Sequence, residues 1–450
     1  MIDSKIPVDF RYEQPINVKV KLFKARRNEY NVTNSKLRAA VKISPQIDRC
    51  RSCESPDLEI VWELENSPYG DLYRHTAKEA LDVSFETLTL GFCTACKMLQ
   101  LLEITDIPST YDDYLYRSSV TNALSSYYVQ TAARLISEYG LSRGDLIVDI
   151  GSNDGTFLSG FLKNGFNVLG IEPTQENANT AELRGIHTLN EYFEAETVDR
   201  ILKEAGRPKL ISINYTLANI PNLLAFLSNI VRLMDESTIL SVITGYHPDQ
   251  YAVNMFEYIN HDHLTYLTVE SVGNLCKILD LKITDVNRSE HKGGSAQFII
   301  SKDNSDYKVQ SSVGQLLQRE IWLNTNTVQF TKNLELQIKD VNIELNKTLK
   351  SLQSSNIYGI GASISTTYLC NQFRLNDKVD KLFDDDVNKI GRFAPGSGKP
   401  VQALTSIPKK EDSVALILAW QHSERLIQRL REVGYPGKIL TPLPNPRLFS

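Results

Sequence analysis

Leu146-Ile147-Val148-Asp149-Ile150-Gly151-Ser152-Asn153-Asp154-Gly155-Thr156-Phe157 runs from an apolar stretch, through an acid, into a tight glycine turn. A second apolar run, Val168-Leu169-Gly170-Ile171, ends at Glu172, 21 residues beyond Gly151. Strand, glycine turn, helix and acid-tipped strand make a nucleotide-binding βαβ unit. Glycine serves where backbone must come close to a ligand. A carboxylate at the tip of the second strand is placed to accept hydrogen bonds from two ribose hydroxyls.

The loop chemistry narrows the nucleotide. A dinucleotide fingerprint, G-x-G-x-x-G, lays a pyrophosphate on bare backbone amides. Gly151-Ser-Asn-Asp-Gly155 has two glycines with an acid between them. A carboxylate there repels a pyrophosphate and favours a ligand with an amino group and a sulfonium, which describes S-adenosylmethionine (SAM). The plainer alternative is a βα turn of some other α/β enzyme; the agreement of the loop with Glu172 favours SAM. The expected cofactor set is Asp149, Gly151, Asn153, Asp154, Gly155, Glu172 and, at the end of a later strand, Asn214.

Working outward, 450 residues hold two to three domains. Alternating β and α patterns predict an α/β protein with two doubly wound, Rossmann-like domains and a small cysteine-bounded module. Residues 1–45 read as a polar extension, 46–118 as a zinc-binding module, 119–305 as the SAM domain, 306–352 as connecting helices and 353–450 as a C-terminal Rossmann-like domain. Leu210–Asn214, Ile239–Ile243 and Gln297–Ile300 read as later strands of the SAM domain. In the connecting region Leu316, Leu317, Ile321, Leu323, Leu334, Leu336, Ile338, Val341, Leu345 and Leu349 recur at helical steps and are expected as core contacts. With 49 basic against 54 acidic residues and a net charge of −5, no nucleic-acid footprint is present. No apolar run approaches the ~18 residues that span a bilayer, and Met1-Ile-Asp-Ser-Lys has no signal-peptide core. A cytoplasmic enzyme that avoids membranes is the expectation; the sequence sets no oligomeric state.

Cys50-Arg-Ser-Cys53 and Cys93-Thr-Ala-Cys96 are two C-x-x-C knuckles. Each presents two thiolates on a tight turn, and together they complete a tetrahedral sulfur site for a structural zinc ion. The alternative, a pair of disulfides, is disfavoured in a cytosolic chain. Cys276 and Cys370 sit in apolar helical patterns and read as buried packing residues.

The motifs taken together resemble the SAM-dependent C-methyltransferases that act on nucleotide-linked keto-deoxysugars. The resemblance covers about residues 48–449. It rests on the cysteine knuckles, Leu99-Gln-Leu101, Asp113-Tyr-Leu-Tyr-Arg-Ser-Ser119, the glycine loop, Asn260-His-Asp-His263 and Gly293-Gly-Ser295. In the C-terminal domain it rests on Gly361-Ala-Ser363, Asp384-Asp-Asp386, Gly391-Arg392, Pro395-Gly396 and Leu418-Ala-Trp420. It implies a zinc module that helps close the active site, a central SAM domain, and a C-terminal domain that helps hold a nucleoside-diphosphate sugar. The methyl group then goes to the carbon beside a ketone.

That reaction needs a base for the acidic C–H and a donor for the enolate oxygen. The resemblance implies a Tyr-His-Glu-His stretch, a tyrosine from the zinc module and a histidine after the fourth strand. His263 matches the last histidine, Asp262 replaces the glutamate, Asn260 replaces the tyrosine, and Asn219 stands where the other histidine is expected. Tyr116 completes the catalytic set. Tyr114, His261, His291, Ser363, Asp384, Arg392 and Lys399 are substrate candidates; Lys389, Arg392 and Lys399 are the cations available to a diphosphate. Either His263 alone is the base, or transfer goes to oxygen, or another part of SAM is used. A non-catalytic nucleotide-sugar-binding protein is the reading from a different class.

Overall fold

The computed structural model describes residues 46–103, 118–120, 122–354 and 356–449. The extension 1–45, Tyr114 and Tyr116 lie outside them.

The strands are numbered in chain order. The central sheet holds β4 (Leu146–Ile150), β5 (Asn167–Ile171), β6 (Thr188–Leu189), β7 (Leu210–Asn214), β8 (Ile239–Gly245), β10 (Leu281–Ser289) and β11 (Ser295–Lys302), in the order β10-β11-β8-β7-β4-β5-β6. Neighbours from β8 to β6 pair in parallel, and the hairpin β10–β11 adds antiparallel to β8. A strand between two parallel neighbours, covered on both faces, is mostly apolar, and any polar residue in it needs a partner. Hence Ile147, Val148 and Ile150 of β4 are buried, as is every residue of β7. The chain leaves β4 to build β5 and β6 on one side, then returns to build β7 and β8 on the other. The reversal opens a crevice at the carboxyl ends of β4 and β7, where ligands bind in open α/β sheets.

The module at the amino-terminal side is a sheet of order β1-β2-β3-β9: β1 (Leu58–Ser67), β2 (Glu86–Cys93), β3 (Leu99–Leu101) and β9 (Thr265–Tyr266). The last strand comes from the central domain. Leu99 pairs with Tyr266 and Gln100 with Thr265, so the module is hydrogen-bonded to the segment that carries His263.

The C-terminal sheet has the order β14-β13-β12-β15-β16-β17, from β12 (Asn356–Ile360), β13 (Val379–Asp384), β14 (Val401–Ala403), β15 (Ser413–Ile417), β16 (Lys438–Thr441) and β17 (Arg447–Phe449). All neighbours are parallel except β16 and β17. Its reversal lies between β12 and β15. The expected second doubly wound domain is present.

Two helices, Ser311–Leu323 and Val328–Ser351, join the domains. Leu316, Leu334, Ile338, Val341, Leu345 and Leu349 are buried as expected, whereas Ile321 is 66% and Leu336 57% exposed. Leu336 stands two residues from Leu334, about 200° around the helix, and Ile321 is similarly turned away from Leu316; three- and four-residue steps also occur between stripes that face opposite ways. Cys276 and Cys370 are buried. One apolar cluster runs from Trp62 and Leu90 of the module, through Phe256 and Tyr266, to Ile338 and Val341 on the long helix and Leu416 of the C-terminal sheet. No helix among the described residues is long and apolar enough to cross a membrane.

Candidate active site

The two cysteine knuckles are built alike. The N–H of Glu54 donates to the carbonyl of Cys50, and that of Lys97 to the carbonyl of Cys93, each at 2.9 Å. Glu54 (φ 58) and Lys97 (φ 66) both take the left-handed backbone this needs. The turns bring the four Sγ atoms within 4.8 Å of one another, with Cys50–Cys96 at 3.5 Å and Cys53–Cys93 at 3.7 Å. Thiolates about 2.3 Å from a tetrahedral zinc stand roughly 3.8 Å apart, so the residues fit the ion. Hydrogen bonds from Cys93 and Cys96 push the Cys50 thiol down, and donation toward Cys50 pushes Cys93 and Cys96 up. A cation is what lets all four ionise together. Gln100 Nε2 also donates to Cys50 Sγ at 3.1 Å, the outer support metal sulfurs commonly have. Four sulfur ligands leave no position for a reacting group, so the ion's work is structural.

The glycine loop is tied to the second strand. Gly151 and Ser152 donate N–H to the carbonyl of Ile171 at 2.9 and 3.1 Å. Gly151 has φ 72, and a Cβ there would lie 2.4 Å from Thr216 Oγ1. The buried Glu172 carboxylate accepts from Asn153 N on one oxygen and Thr174 N on the other, both at 2.9 Å. Burial pushes its pKa up against those bonds. Asp149 Oδ1 accepts from Ser212 Oγ at 2.6 Å and Asn214 Nδ2 at 3.0 Å, and burial pushes its carboxyl to about 7. Asn214 Oδ1 and Ser152 Oγ are buried without a partner among the described residues. Such orphaned acceptors beside a loop that admits no side chain suit a ligand carrying an ammonium group. Asp154 departs from its expected place facing the ligand. Its carboxylate serves the loop itself: it accepts from Thr156 Oγ1 at 2.5 Å and Ser119 N at 3.2 Å, and Arg184 lies 3.3 Å away. Asn153 Oδ1 likewise accepts from Ser118 N at 2.9 Å, and Gly155 opens the helix Thr156–Leu162.

The segment after the 3-10 turn Phe256–Tyr258 carries the histidines. His263 is stacked on Tyr258, ring centroids 4.0 Å apart. Its Nδ1 lies 2.8 Å from the carbonyl of Tyr258 and 3.1 Å from Asn260 Nδ2. A carbonyl only accepts, so assignment from the network puts the proton on Nδ1 and the lone pair on Nε2. Burial pushes the His263 pKa down to about 4, leaving the ring neutral at pH 7. Asn260 is buried and spent on the turn: its amide also faces the carbonyls of Glu257 and Tyr258, and its Oδ1 accepts from Asp262 N at 3.0 Å. Burial, with Asp71 nearby, pushes Asp262 up to about 6. Leu264 N–H donates to Ala218 O at 2.7 Å, which draws Asn219 to His263's side of the crevice. Asn219 Oδ1 is buried without a partner among the described residues.

Other expected residues gather elsewhere. His261 is stacked on Tyr69 at 4.0 Å, lies 3.0 Å from Tyr368 Oη, and has 3.7 Å to Glu86. It is buried where module and C-terminal domain meet, and its pKa is pushed down to about 3. Ser363 caps the helix Ile364–Gln372, and its carbonyl accepts from Tyr73 Oη at 3.3 Å. Asp384 accepts from Ala362 N at 2.5 Å and Asp386 N at 2.8 Å. Arg392 donates to the carbonyl of Tyr73 at 3.3 Å, Lys389 pairs with Asp71, and Lys399 is half-buried. Ser363, Asp384 and Arg392 thus assemble at the carboxyl edge of the C-terminal sheet, beside Tyr73 of the module. His291 lies 4.2 Å from the Tyr127 ring.

Sequence reasoning missed two residues. Glu257 is buried; its Oε1 accepts from Ser365 Oγ at 3.0 Å, from Trp420 Nε1 and from Gln421 Nε2 at 3.5 Å, and burial pushes its carboxyl up. An acid inside Met255-Phe256-Glu257-Tyr258-Ile259 was the available signal. Lys292, with Nζ 3.9 Å from the centre of the Tyr215 ring, had none beyond its place before two glycines. A cleft of about 520 Å³ at the amino ends of β4 and β5, lined in part by Gly144, Asn167 and His187, is remote from these groups.

Three family models match in series: "Putative zinc binding domain" over residues 50–111, "Methyltransferase domain" over 124–286 and "C-methyltransferase C-terminal domain" over 290–444. With the glycine loop at the sheet's reversal and the sulfur site beside it, they define a SAM-dependent methyltransferase with a structural zinc site. The chain is 24% identical over 411 residues to C-methyltransferase NovU of Streptomyces niveus, a match spanning 90% of this chain and 97% of that protein. It is thus similar, along nearly its whole length, to the C-methyltransferases assembled from these three domains. Among solved structures it is similar to magnesium protoporphyrin IX methyltransferase of Synechocystis PCC 6803 with bound SAM (12% identity, TM-score 0.32, 44% of this chain and 92% of that chain). It is also similar to the mitomycin 7-O-methyltransferase MmcR (15%, 0.33, 40% and 54%). These distant likenesses bear on neither substrate nor mechanism.

Proposed function

We propose that the acceptor is a nucleotide-linked keto-deoxysugar, methylated on the carbon beside its ketone after loss of a proton. The observation that carries this reading is the 2.8 Å contact of His263 Nδ1 with the Tyr258 carbonyl: the tautomer it assigns, Nδ1–H, leaves Nε2 as the nitrogen that can take a proton. Abstracting a proton next to a carbonyl needs such a base, oriented in advance. SAM, when bound, supplies an electrophilic methyl. Glu172 and the Gly151 loop hold its nucleoside, and Asn214 receives its amino group. At the edge of the C-terminal sheet, Ser363, Asp384 and Arg392, with Lys399, hold the nucleoside diphosphate, cations there offsetting its charge. The chain acts in the cytoplasm, where the sulfur site stays reduced.

The test uses the full chain with SAM and a set of nucleotide-linked 4-keto sugars in deuterated water. Solvent deuterium at the carbon beside the ketone, together with a new methyl–carbon bond, is the expected result. A product methylated on oxygen, without deuterium uptake, would instead establish the second reading. One observation favours that alternative: Asn260 is spent on its own turn and supplies no ionisable group.

A further inference from the structure

We propose that Lys292 is a catalytic residue of this chain, its ammonium stabilising the oxyanion that forms as His263 takes the acceptor's proton. The inference rests on the keto-sugar reading above.

Three separate segments meet here. Lys292 lies on the turn between β10 and β11, which closes beside the carboxyl end of β8, Ser295 pairing with Gly245. It takes a left-handed backbone, φ 52 and ψ 40, an arrangement that non-glycine residues adopt at a cost and that clusters at functional sites. The turn is wedged in place. A Cβ at Gly293 would meet Met255 Sδ at 2.2 Å, and one at Gly294 would meet Asp249 Cβ at 2.5 Å. The second segment is Tyr215, directly after β7 and itself left-handed at φ 55. Its hydroxyl is 3.0 Å from Ser295 Oγ, which donates to the His291 carbonyl at 2.7 Å. The ring is therefore fixed beneath the ammonium, 3.9 Å from Nζ, in a cation–π arrangement. The third segment carries His263, which stacks on Tyr258; Tyr258 Oη lies 2.2 Å from where a Cβ on Gly245 would stand, at the end of β8 that pairs with Ser295. Burial depresses its imidazole first, and the charge of Lys292 further.

The chemistry leaves a gap that this lysine fills. Where the resemblance implies a histidine and a tyrosine, the chain has Asn219 and Asn260, and Asn260 is held by the backbone of its own turn. In the step proposed, the C–H bond beside the ketone breaks and its proton forms an N–H bond at His263 Nε2. The electron pair becomes a C=C bond, the carbonyl π pair moves to oxygen, and the resulting O⁻ is paired with the Lys292 ammonium. Charge is conserved, and no oxidant or further reactant is needed. The two groups divide the roles: burial brings Lys292 down to about 8, still mostly cationic at pH 7, while His263, brought down to about 4, is neutral and keeps an Nε2 lone pair to take the proton. A lysine merely solvated at the surface has no reason to rest on a fixed aromatic face with a left-handed backbone.

The test compares full-length wild type, Lys292→Met, Lys292→Gln and Lys292→Arg. The first arm follows His263 by NMR titration, assigned with His263→Asn. Removing the charge should raise its pKa by about half a unit or more, and Lys292→Arg should not; an unchanged His263 overturns the proposal. In the second arm, S-adenosylhomocysteine and either dTDP- or UDP-4-keto-6-deoxyglucose are incubated in deuterated water. Deuterium uptake should fall about 100-fold in kcat for Lys292→Met and Lys292→Gln, the size of losing one oxyanion donor, with KM nearly constant. Lys292→Arg should retain about a tenth or more. Equal uptake in all variants overturns the proposal. Unchanged SAM affinity by calorimetry shows that a variant has folded. If wild type exchanges neither sugar, the keto-sugar reading fails, and the lysine's placement is then judged by the titration.

Discussion

Gly151→Ala is the substitution whose outcome the geometry constrains most. Gly151 sits at φ 72, and its added Cβ would lie 2.4 Å from Thr216 Oγ1 and 3.0 Å from Thr216 Cγ2. Two costs are separable. A left-handed backbone costs an alanine about 1–2 kcal/mol. Displacing a packed side chain by roughly 1 Å adds about 1–3 kcal/mol. Gly144 supplies the control: its φ is 89, but nothing lies within 4 Å of its Cβ position. Gly144→Ala should therefore lose only the first amount and keep its SAM affinity. Gly151→Ala should lose about 2–5 kcal/mol, divided between urea stability and SAM binding, because the loop can relax by abandoning the shape the ligand needs. A loss of about 2 kcal/mol taken wholly in binding is about 30-fold in Kd. Thr216→Ala in the Gly151→Ala background removes the two nearest atoms and should restore the packing part. The assays are urea denaturation and SAM calorimetry on all four proteins. If Gly151→Ala and Gly144→Ala prove indistinguishable in both, the steric account of this loop is wrong.

Other outcomes follow from the same structure. Metal analysis should find about one zinc per chain, and Cys53→Ser should lose it and lower the unfolding temperature; a metal-free wild type of normal stability would refute the site. Glu257→Ala strands Trp420 Nε1 and Ser365 Oγ, and should destabilise by about 3 kcal/mol or more on denaturation, with Glu257→Gln milder; a neutral Glu257→Ala would show that the contact carries no weight. Asp149 has a folded pKa of about 7, above its ordinary 3.8. An acid raised by folding is protonated in both states at low pH, and costs stability as pH rises from its unfolded pKa through its folded one. Relative to Asp149→Asn, wild type should thus lose stability from about pH 4 to pH 7, by at most on the order of 4 kcal/mol; parallel stability curves for the two proteins would contradict it.

What was legible in the sequence was local. The glycine loop, its acid-tipped partner strand and the two cysteine knuckles each lie within short spans, because backbone conformation and ligand spacing are set by neighbours. Asp154 shows the same limit in reverse, its carboxylate being engaged within the loop. Its type and position were plain, but a carboxylate two residues before a helix start can cap that helix as readily as face a ligand, and Arg184 and Ser119 settled the matter from afar. The roles of Glu257 and Lys292 were not legible because their partners, Trp420 and Tyr215, lie 163 and 77 residues away. His261 and His263, two residues apart, face different surroundings, which no spacing rule distinguishes.

The short strand β9 has one more consequence. Thr265 and Tyr266 pair with β3, which begins three residues after Cys96, and His263 stands two residues before Thr265. The metal site and His263, the base proposed above, are thus two ends of one short mechanical linkage. Loss or oxidation of the thiols should loosen the segment that carries His263 while the SAM loop, on another sheet, keeps its shape. Zinc supply and thiol redox state become inputs to turnover, so a demetallated enzyme should still hold its methyl donor and yet idle.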